Sequence, residues 1–560
     1  MGMPRHEALK QLTAKGMPYA LEEGLIHDRP CRFFSHAPLT LGDLFRDNCS
    51  DETFLVFEDQ RLTFNQVYES AVALANGLHQ TCGVSHGDRV AISMRNYPEW
   101  VIAFMAVTSM GATAVAMNAL WQSDEIAYGL KHSGSKVLIA DGERLTRIAA
   151  LADELDLVII GTRQTPQTPK VSHFEFSDLL ATHMDGNLDW ASVGPDDNAT
   201  IFYTSGSTGH PKGAVSCHRN IISALFSWEL DLAARQLEHD ITAAPPLAQP
   251  ATLLAVPLFH ATGSHAVYLQ SYRAQRKMVC MYRWDPDVAV QLIENERISS
   301  FVAPAAMTGD LIEAGKRWGA DLSSLLSVGG GGAPRAAAQV ASIPETFAQA
   351  MPSTGWGMTE TNAIGTGIGG DEYLNRPTSS GRCSAVLDIE IVDEQGRALA
   401  AGERGELRIR GASIIKGYWD RPDANAEAFD GHWLKTGDVA YLDSEGYLFI
   451  VDRIKDLVIR GGENIGCAEV EGALLAQPNI IEASVYAVPD PRLGEEVGAT
   501  LYVEGSVSET ALKTVLAEQI AKFKVPRYFQ IQHSPLPRIA SGKINKRQLR
   551  ADALKALGIS

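Results

Sequence analysis

Cysteine is scarce. The seven in 560 residues, Cys31, Cys49, Cys82, Cys217, Cys280, Cys383 and Cys467, stand singly, with no CxxC pair and no His-Cys cluster. Neither a disulfide framework nor a structural zinc site is expected from that pattern. Positive charge is also short: Lys and Arg total 49 against 67 Asp and Glu, a net charge of -18. Such a surface repels polyanions, which excludes nucleic acid and acidic lipid as partners. Any phosphate ligand must be held by a local arrangement of donors. Residues 1–24 lack the apolar core of a signal peptide, so a cytoplasmic location is expected. One stretch, 101–121, carries no charge, but Thr108, Ser109, Gly111 and Thr113 interrupt it. It reads as a buried helix turning into a buried strand, and no integral membrane segment is expected.

What is present is an ordinary globular balance of 45% apolar and 21% charged residues. At about 150 residues per domain the chain should hold two to four compact units. Helical and strand patterns alternate. A helix over 63–78 leads to a strand at 90–93, one at 125–131 to a strand at 136–140, and one at 286–294 to a strand at 299–302. Repeated βα units predict an α/β fold with mainly parallel sheets covered on both faces. After about Ser379 the pattern becomes strands and turns, at 388–392, 405–410, 439–443 and 447–452, and predicts a small antiparallel β subdomain. A fresh α+β unit begins beyond 452. The expected organisation is a large N-terminal domain, 1–452, and a small mobile C-terminal domain, 453–560.

The segment Thr204-Ser205-Gly206-Ser207-Thr208-Gly209-His210-Pro211-Lys212 follows an apolar strand at 199–203. Small residues let backbone N–H groups approach an anion, while hydroxyls and one ammonium add donors and charge. It should hold phosphates. A Walker A loop would need Gly before the Lys and Ser or Thr after it; Pro211 and Gly213 stand there instead.

Here the chain resembles the adenylate-forming superfamily, which includes acyl-CoA synthetases, adenylation domains of peptide synthetases and luciferases. Further motifs follow in that superfamily's order. Gly330-Gly331-Gly332-Ala333-Pro334 looks like the segment beside adenine, and Gly355-Trp356-Gly357-Met358-Thr359-Glu360 like the aromatic-Gly-x-Thr-Glu motif. Thr436-Gly437-Asp438 resembles the ribose-binding triplet, 452–456 the hinge, and 537–546 the closing lysine motif. The resemblance spans roughly 30–550.

The resemblance implies ATP, Mg2+ and CoA. Thr204, Ser205, Gly206, Ser207, Thr208, Gly209 and Lys212 would hold the β- and γ-phosphates. Gly332, Ala333, Pro334, Trp356 and Gly357 would border adenine, with Trp356 stacking on it. Thr359 and Glu360 would sit at a polar edge, with Glu360 as the Mg2+ ligand, an oxygen donor of the kind that ion prefers. Asp438 would take the ribose hydroxyls, and Lys543 would bridge carboxylate and α-phosphate as an electrostatic catalyst. Arg453 and Lys455 occupy the hinge. Gly461, Gly462 and Glu463 match a loop that leaves room for a pantetheine arm. His260, in Pro257-Leu258-Phe259-His260, matches a residue between acyl pocket and acceptor tunnel; His265 has no such support.

The implied activity is an ATP-dependent, AMP-forming acyl-CoA synthetase acting on a small-molecule carboxylic acid with a medium- or long-chain fatty or an aryl body. A carrier protein as acceptor is the alternative; so, outside enzymes, is a nucleotide-binding regulator, and a γ-phosphoryl kinase is a third. The acyl pocket is expected near 303–307, 329–333 and 351–354. These runs are small or apolar and hold no Arg or Lys for a second carboxylate, so a hydrophobic fatty or aryl acid is expected. Gly357 stands where acetate-specific relatives have Trp, which implies a tunnel open beyond two carbons, or blocked by Met307 or Met351. A homodimer is left open.

Overall fold

The uncharged run becomes the helix Pro98–Ser109 and the strand Thr113–Ala116. Proline starts the helix, where its missing N–H has no intrahelical partner to lose. Every helix residue except Glu99 is buried, because the helix lies between two sheets. Trp100 stacks on Phe104 with ring centroids 5.2 Å apart, and the same core holds Val90 and Ile92 from one sheet and Leu253, Val279 and Phe301 from the other. Burying each large apolar side chain contributes about 1.5–3 kcal/mol. Among the described residues no helix is long and apolar enough to cross a membrane. The structure, a computed structural model, describes residues 2–184, 193–204, 211–241, 248–332, 335–461, 463–539 and 543–559.

The first sheet has eight strands. Asn198–Thr204, Thr113–Ala116, Arg89–Ser93, Val137–Asp141, Val158–Thr162 and Phe174–Glu175 run parallel. Lys212–Cys217 and then Gly417–Tyr418 add antiparallel strands at its edge. The second sheet has fourteen strands. Thr53–Phe57, Lys277–Cys280, Ala251–Leu254, Ser300–Ala303, Ser327–Gly330 and Met351–Trp356 form its parallel half.

The strands expected as a small antiparallel β subdomain do pair antiparallel, and they extend this second sheet. Thr366–Gly369 pairs antiparallel with Met351–Trp356, and Gly381–Cys383 then joins Tyr447–Arg453, Trp433–Leu442, Gly405–Gly411 and Leu387–Val392. The open edge of the last parallel strand is thereby covered, as an exposed ladder of N–H and C=O groups requires.

The C-terminal residues form their own five-stranded sheet. Helices Cys467–Leu475, Glu509–Gln519 and Lys546–Leu557 accompany it, with a separate core that includes Val470, Leu474, Val485, Leu501 and Leu516. Asp452, at the end of the large sheet, accepts N–H groups from Cys467 and Ala468 at the start of the first of these helices. A carboxylate there meets unpaired N–H donors and the positive end of the helix dipole.

Candidate active site

Thr204 pairs with Lys212 and Tyr203 with Gly213 in an antiparallel register. The small-residue segment therefore joins two strands of a hairpin, whereas a Walker A loop leads from a strand into a helix. Ser205, Gly206, Ser207, Thr208 and Gly209 lie outside the described residues, as do Ala333, Pro334, Gly462 and the Lys455 side chain. At the base of the hairpin the Lys212 ammonium stands 5.1 Å from the centroid of the Tyr418 ring. The Tyr418 hydroxyl donates to Glu360 Oε1 at 2.8 Å. Burial, and then the Glu360 charge, push the phenol well above its ordinary range, so it remains a donor.

Thr359 and Glu360 belong to a short 3-10 turn, Thr359–Thr361, just after Trp356. Glu360 is buried, and its carbonyl accepts the Ile415 N–H at 3.0 Å. Behind the turn is a network that spacing along the chain did not reveal. Asn362 Oδ1 accepts the Ser216 hydroxyl at 2.9 Å and faces His265 Nε2 at 3.1 Å. Its amide donates to Ser413 O at 2.8 Å. His265, unassigned from sequence, thus joins the hairpin of Lys212 and the segment at 413 through Asn362. Burial lowers its pKa to about 4, which keeps it neutral.

Trp356 Nε1 donates to Asp438 Oδ2 at 2.8 Å, and Arg453 Nε meets Asp438 Oδ1 at 2.5 Å. Asp438 is buried, and burial raises its pKa against the opposing pull of Arg453. The residues expected at adenine, ribose and hinge form one contiguous cluster.

Lys543 reaches it from the C-terminal domain. The Lys543 carbonyl accepts the Ile539 N–H at 2.8 Å. Lys543 Cε lies 3.7 Å from the position a Cβ would take at Gly332, and its charge is felt by both Asp438 and His260. His260 Nε2 is buried without a hydrogen bond. Burial first, and then Lys543, lower the His260 pKa to about 4. Gly461 and Glu463, in contrast, lie on a hairpin, Val458–Arg460 with Glu463–Ile465, that pairs with Gly494 of its own sheet and buries Val458 and Ile465 in the C-terminal core.

Three expectations about the acyl side change. A Cβ at Gly357 would stand 2.5 Å from the Ala363 carbonyl oxygen and 3.1 Å from Ile364 N. Glycine is required there by close backbone packing, so it is no gauge of tunnel length. Met351 is exposed and blocks no interior tunnel. The expectation that no cation stands beside these runs also changes: Arg335, two residues beyond the run 329–333, is buried and donates to Thr308 Oγ1 at 3.0 Å and to Gly329 O at 3.3 Å. Sequence reasoning missed it because its partner Thr308 lies 27 positions away.

Comparison with known proteins identifies the family. Residues 45–419 match the family described as AMP-binding enzyme, and 469–543 the AMP-binding enzyme C-terminal domain. A long-chain-fatty-acid–CoA ligase, FadD13, of Mycobacterium tuberculosis is 31% identical, covering 88% of this chain and 93% of its own. A feruloyl-CoA synthase of an Amycolatopsis species is 34% identical, covering 87% of this chain and 93% of its own. Among solved structures, an o-succinylbenzoate coenzyme A synthetase of Bacillus subtilis in complex with ATP and magnesium superposes with a TM-score of 0.76 at 28% identity, covering 92% of this chain and 99% of that one.

Proposed function

This chain belongs to the AMP-binding enzyme family and is an AMP-forming acid–CoA ligase, and we propose that its acid has a largely hydrophobic fatty or aryl body. The observation that carries the site assignment is Lys543 against Gly332 and within electrostatic reach of Asp438 and His260. It supports a chain held in its adenylate-forming arrangement.

In that arrangement a carboxylate oxygen of the acid attacks the α-phosphorus of ATP, and the bond to pyrophosphate breaks. Lys212 and the segment before it would hold the leaving phosphates. The Lys543 ammonium offsets the charge of the two anions as they meet, a contribution largest where charge develops. Trp356 and Asp438, fixed to each other, would seat adenine and ribose so that the attack is in line. Glu360 fits Mg2+: it is a buried carboxylate, Tyr418 occupies only one of its oxygens, and among the described residues no cation pairs with it. When bound, Mg2+ supplies charge neutralisation at the phosphates.

In the second step the CoA sulfur attacks the acyl carbonyl, the thiol proton is lost, and AMP leaves. We place the boundary between rotating units at 453, directly after the Asp452 anchor, with Lys455 at the hinge and the hairpin carrying Gly461, Gly462 and Glu463 presented to the CoA arm. Single cysteines, all free among the described residues, fit a reducing cytoplasm.

A pyrophosphate-exchange screen across fatty, aryl and dicarboxylic acids, with AMP and ADP quantified, tests this reading. Exchange and AMP release with apolar acids are expected; ADP in place of AMP would overturn it.

A further inference from the structure

The N-terminal hairpin, Leu21–Ile26 with Arg29–Phe34, turns in two residues, His27 and Asp28. Both lie in the left-handed region, at φ 50° and 62°, as a type I′ turn requires. Neither is the glycine that adopts this region freely, and strained backbone of this kind persists where its surroundings hold it. What holds it is the segment that runs into Tyr418. Arg29, the first residue after the turn, donates from Nη1 to Ile415 O at 3.0 Å and from Nη2 to Lys416 O at 3.1 Å. Its guanidinium carbon also lies 4.0 Å from the centroid of the Phe429 ring. His27 is close to the same segment, since burial, and next the Lys416 charge, lower its pKa.

The N–H groups of the same two residues point to the candidate site. The Ile415 N–H donates to the Glu360 carbonyl at 3.0 Å, and the Lys416 N–H to Val215 O at 2.9 Å, in the strand Lys212–Cys217. Ile415 O and the Lys416 N–H belong to one peptide group, so Arg29 polarises the donor that grips that strand, and bonds in such a chain strengthen one another. Two residues on, Tyr418 pairs with Ala214 and donates its hydroxyl to Glu360 Oε1 at 2.8 Å. Arg29 thus stands behind a short strap that touches Glu360 at both its main chain and its carboxylate, and touches the strand that begins at Lys212.

We propose that Arg29 is a positioning residue for adenylate formation: its fork on the Ile415 and Lys416 carbonyls fixes the strap that sets Glu360 and the Lys212 strand toward the phosphates of ATP. The inference rests on the acid–CoA ligase reading and deepens it. A guanidinium offers donors in a fixed fork to two adjacent carbonyls, a geometry that an ammonium does not reproduce. The competing account is that Arg29 only fastens the hairpin to the body of the domain. It predicts a lower unfolding temperature on removal of the side chain and unchanged kinetics in the molecules that remain folded. The hairpin carries its own control, because Arg32 fastens it elsewhere, to Leu387 O at 3.3 Å and Asp388 Oδ1 at 2.7 Å, on the strand Leu387–Val392 at the edge of the second sheet.

The test compares full-length wild type, Arg29→Met, Arg29→Lys and Arg32→Met in pyrophosphate exchange, using whichever fatty, aryl or dicarboxylic acid exchanges fastest in wild type. Arg29→Met is expected to raise the MgATP concentration for half-maximal exchange about threefold to tenfold, at or below the lower end of the range for outer partners of an ion ligand, with the KM for the acid unchanged. Arg29→Lys should fall between that variant and wild type, and Arg32→Met should match wild type. Hydrogen exchange of the peptides covering 358–364 and 413–419 needs no substrate. It is expected to quicken in Arg29→Met and to keep the wild-type rate in Arg32→Met. If Arg29→Met fails to fold, Arg29→Lys decides by the same two readouts. A wild-type MgATP dependence in the Arg29 variants, an equal shift in Arg32→Met, or unchanged hydrogen exchange at both peptides overturns the inference, while AMP release by wild type leaves the ligase reading standing. Absence of exchange and of AMP with every such acid in wild type overturns both.

Discussion

The Tyr418 hydroxyl donates to Glu360 Oε1 at 2.8 Å, across 58 positions of sequence and from a strand of one sheet to the turn that ends a strand of the other. Tyr418 sits on the edge strand that pairs with the phosphate hairpin at Ala214. Orientation of the carboxylate proposed to hold Mg2+ is thus tied to the hairpin that carries Lys212. Outer partners of a metal ligand typically govern affinity by 10- to 100-fold. Tyr418→Phe is therefore expected to raise the Mg2+ concentration for half-maximal pyrophosphate exchange about tenfold, Glu360→Gln to raise it further, and chelation to stop exchange in all three proteins. An unchanged Mg2+ dependence in Glu360→Gln would remove Glu360 from the metal site.

Lys543→Ala should separate the two half-reactions. Removing one electrostatic donor aimed at a developing charge costs about 100- to 1000-fold in rate. That loss is expected in pyrophosphate exchange, while thioester formation from supplied acyl-AMP and CoA continues near the wild-type rate. Equal losses in both assays would refute a role confined to adenylation.

Gly357→Ala tests the packing account of that position. The new methyl would meet the Ala363 carbonyl oxygen, an atom that moves only with the backbone, and overpacking of this kind costs about 1–3 kcal/mol. A lower unfolding temperature is expected for the variant, with the order of acids unchanged among molecules that remain folded. A stable variant with altered chain-length preference would restore Gly357 as a tunnel gauge.

Acid should destabilise the N-terminal domain before its carboxylates titrate. His218 and His265 are buried and their pKa values are lowered to about 4 by burial. His218 Nδ1 also accepts the Leu41 N–H at 3.1 Å, which requires the neutral ring. The unfolded chain takes up these protons near pH 6.5, the folded one only near 4. Their contribution is therefore complete above the unfolded value and is lost as pH falls through the window between the two, by about 3 kcal/mol for each at most. Denaturant midpoints measured from pH 7 to 4 are expected to fall. The fall should be shallower in His265→Gln, which keeps a group able to bond Asn362; an unchanged slope would mean that His265 does not stay neutral in the fold.

By itself the sequence determined what depends on neighbours in the chain. Alternating βα periodicity set the α/β class. Small residues and hydroxyls before Lys212 marked a candidate phosphate-holding segment, and the uncharged run at 101–121 announced a helix that must be covered on every side. Glu360, Asp438 and Lys543 stood out as candidates because each stands in a short motif. Tertiary structure decided what depends on residues far apart. It joined the late antiparallel strands to the parallel sheet, since strand pairing is chosen by which edges are left open, not by local propensity. It also bound Trp356 to Asp438, Tyr418 to Glu360, and Asn362 to both Ser216 and His265. Gly357 and Arg335 make the point most plainly: a glycine reads in sequence as open space and an arginine as a solvated charge. Only packing shows that the first is closed by the Ala363 carbonyl and that the second is buried over Gly330. Burial and desolvation are properties of the assembled core and have no signature in the order of residues around them.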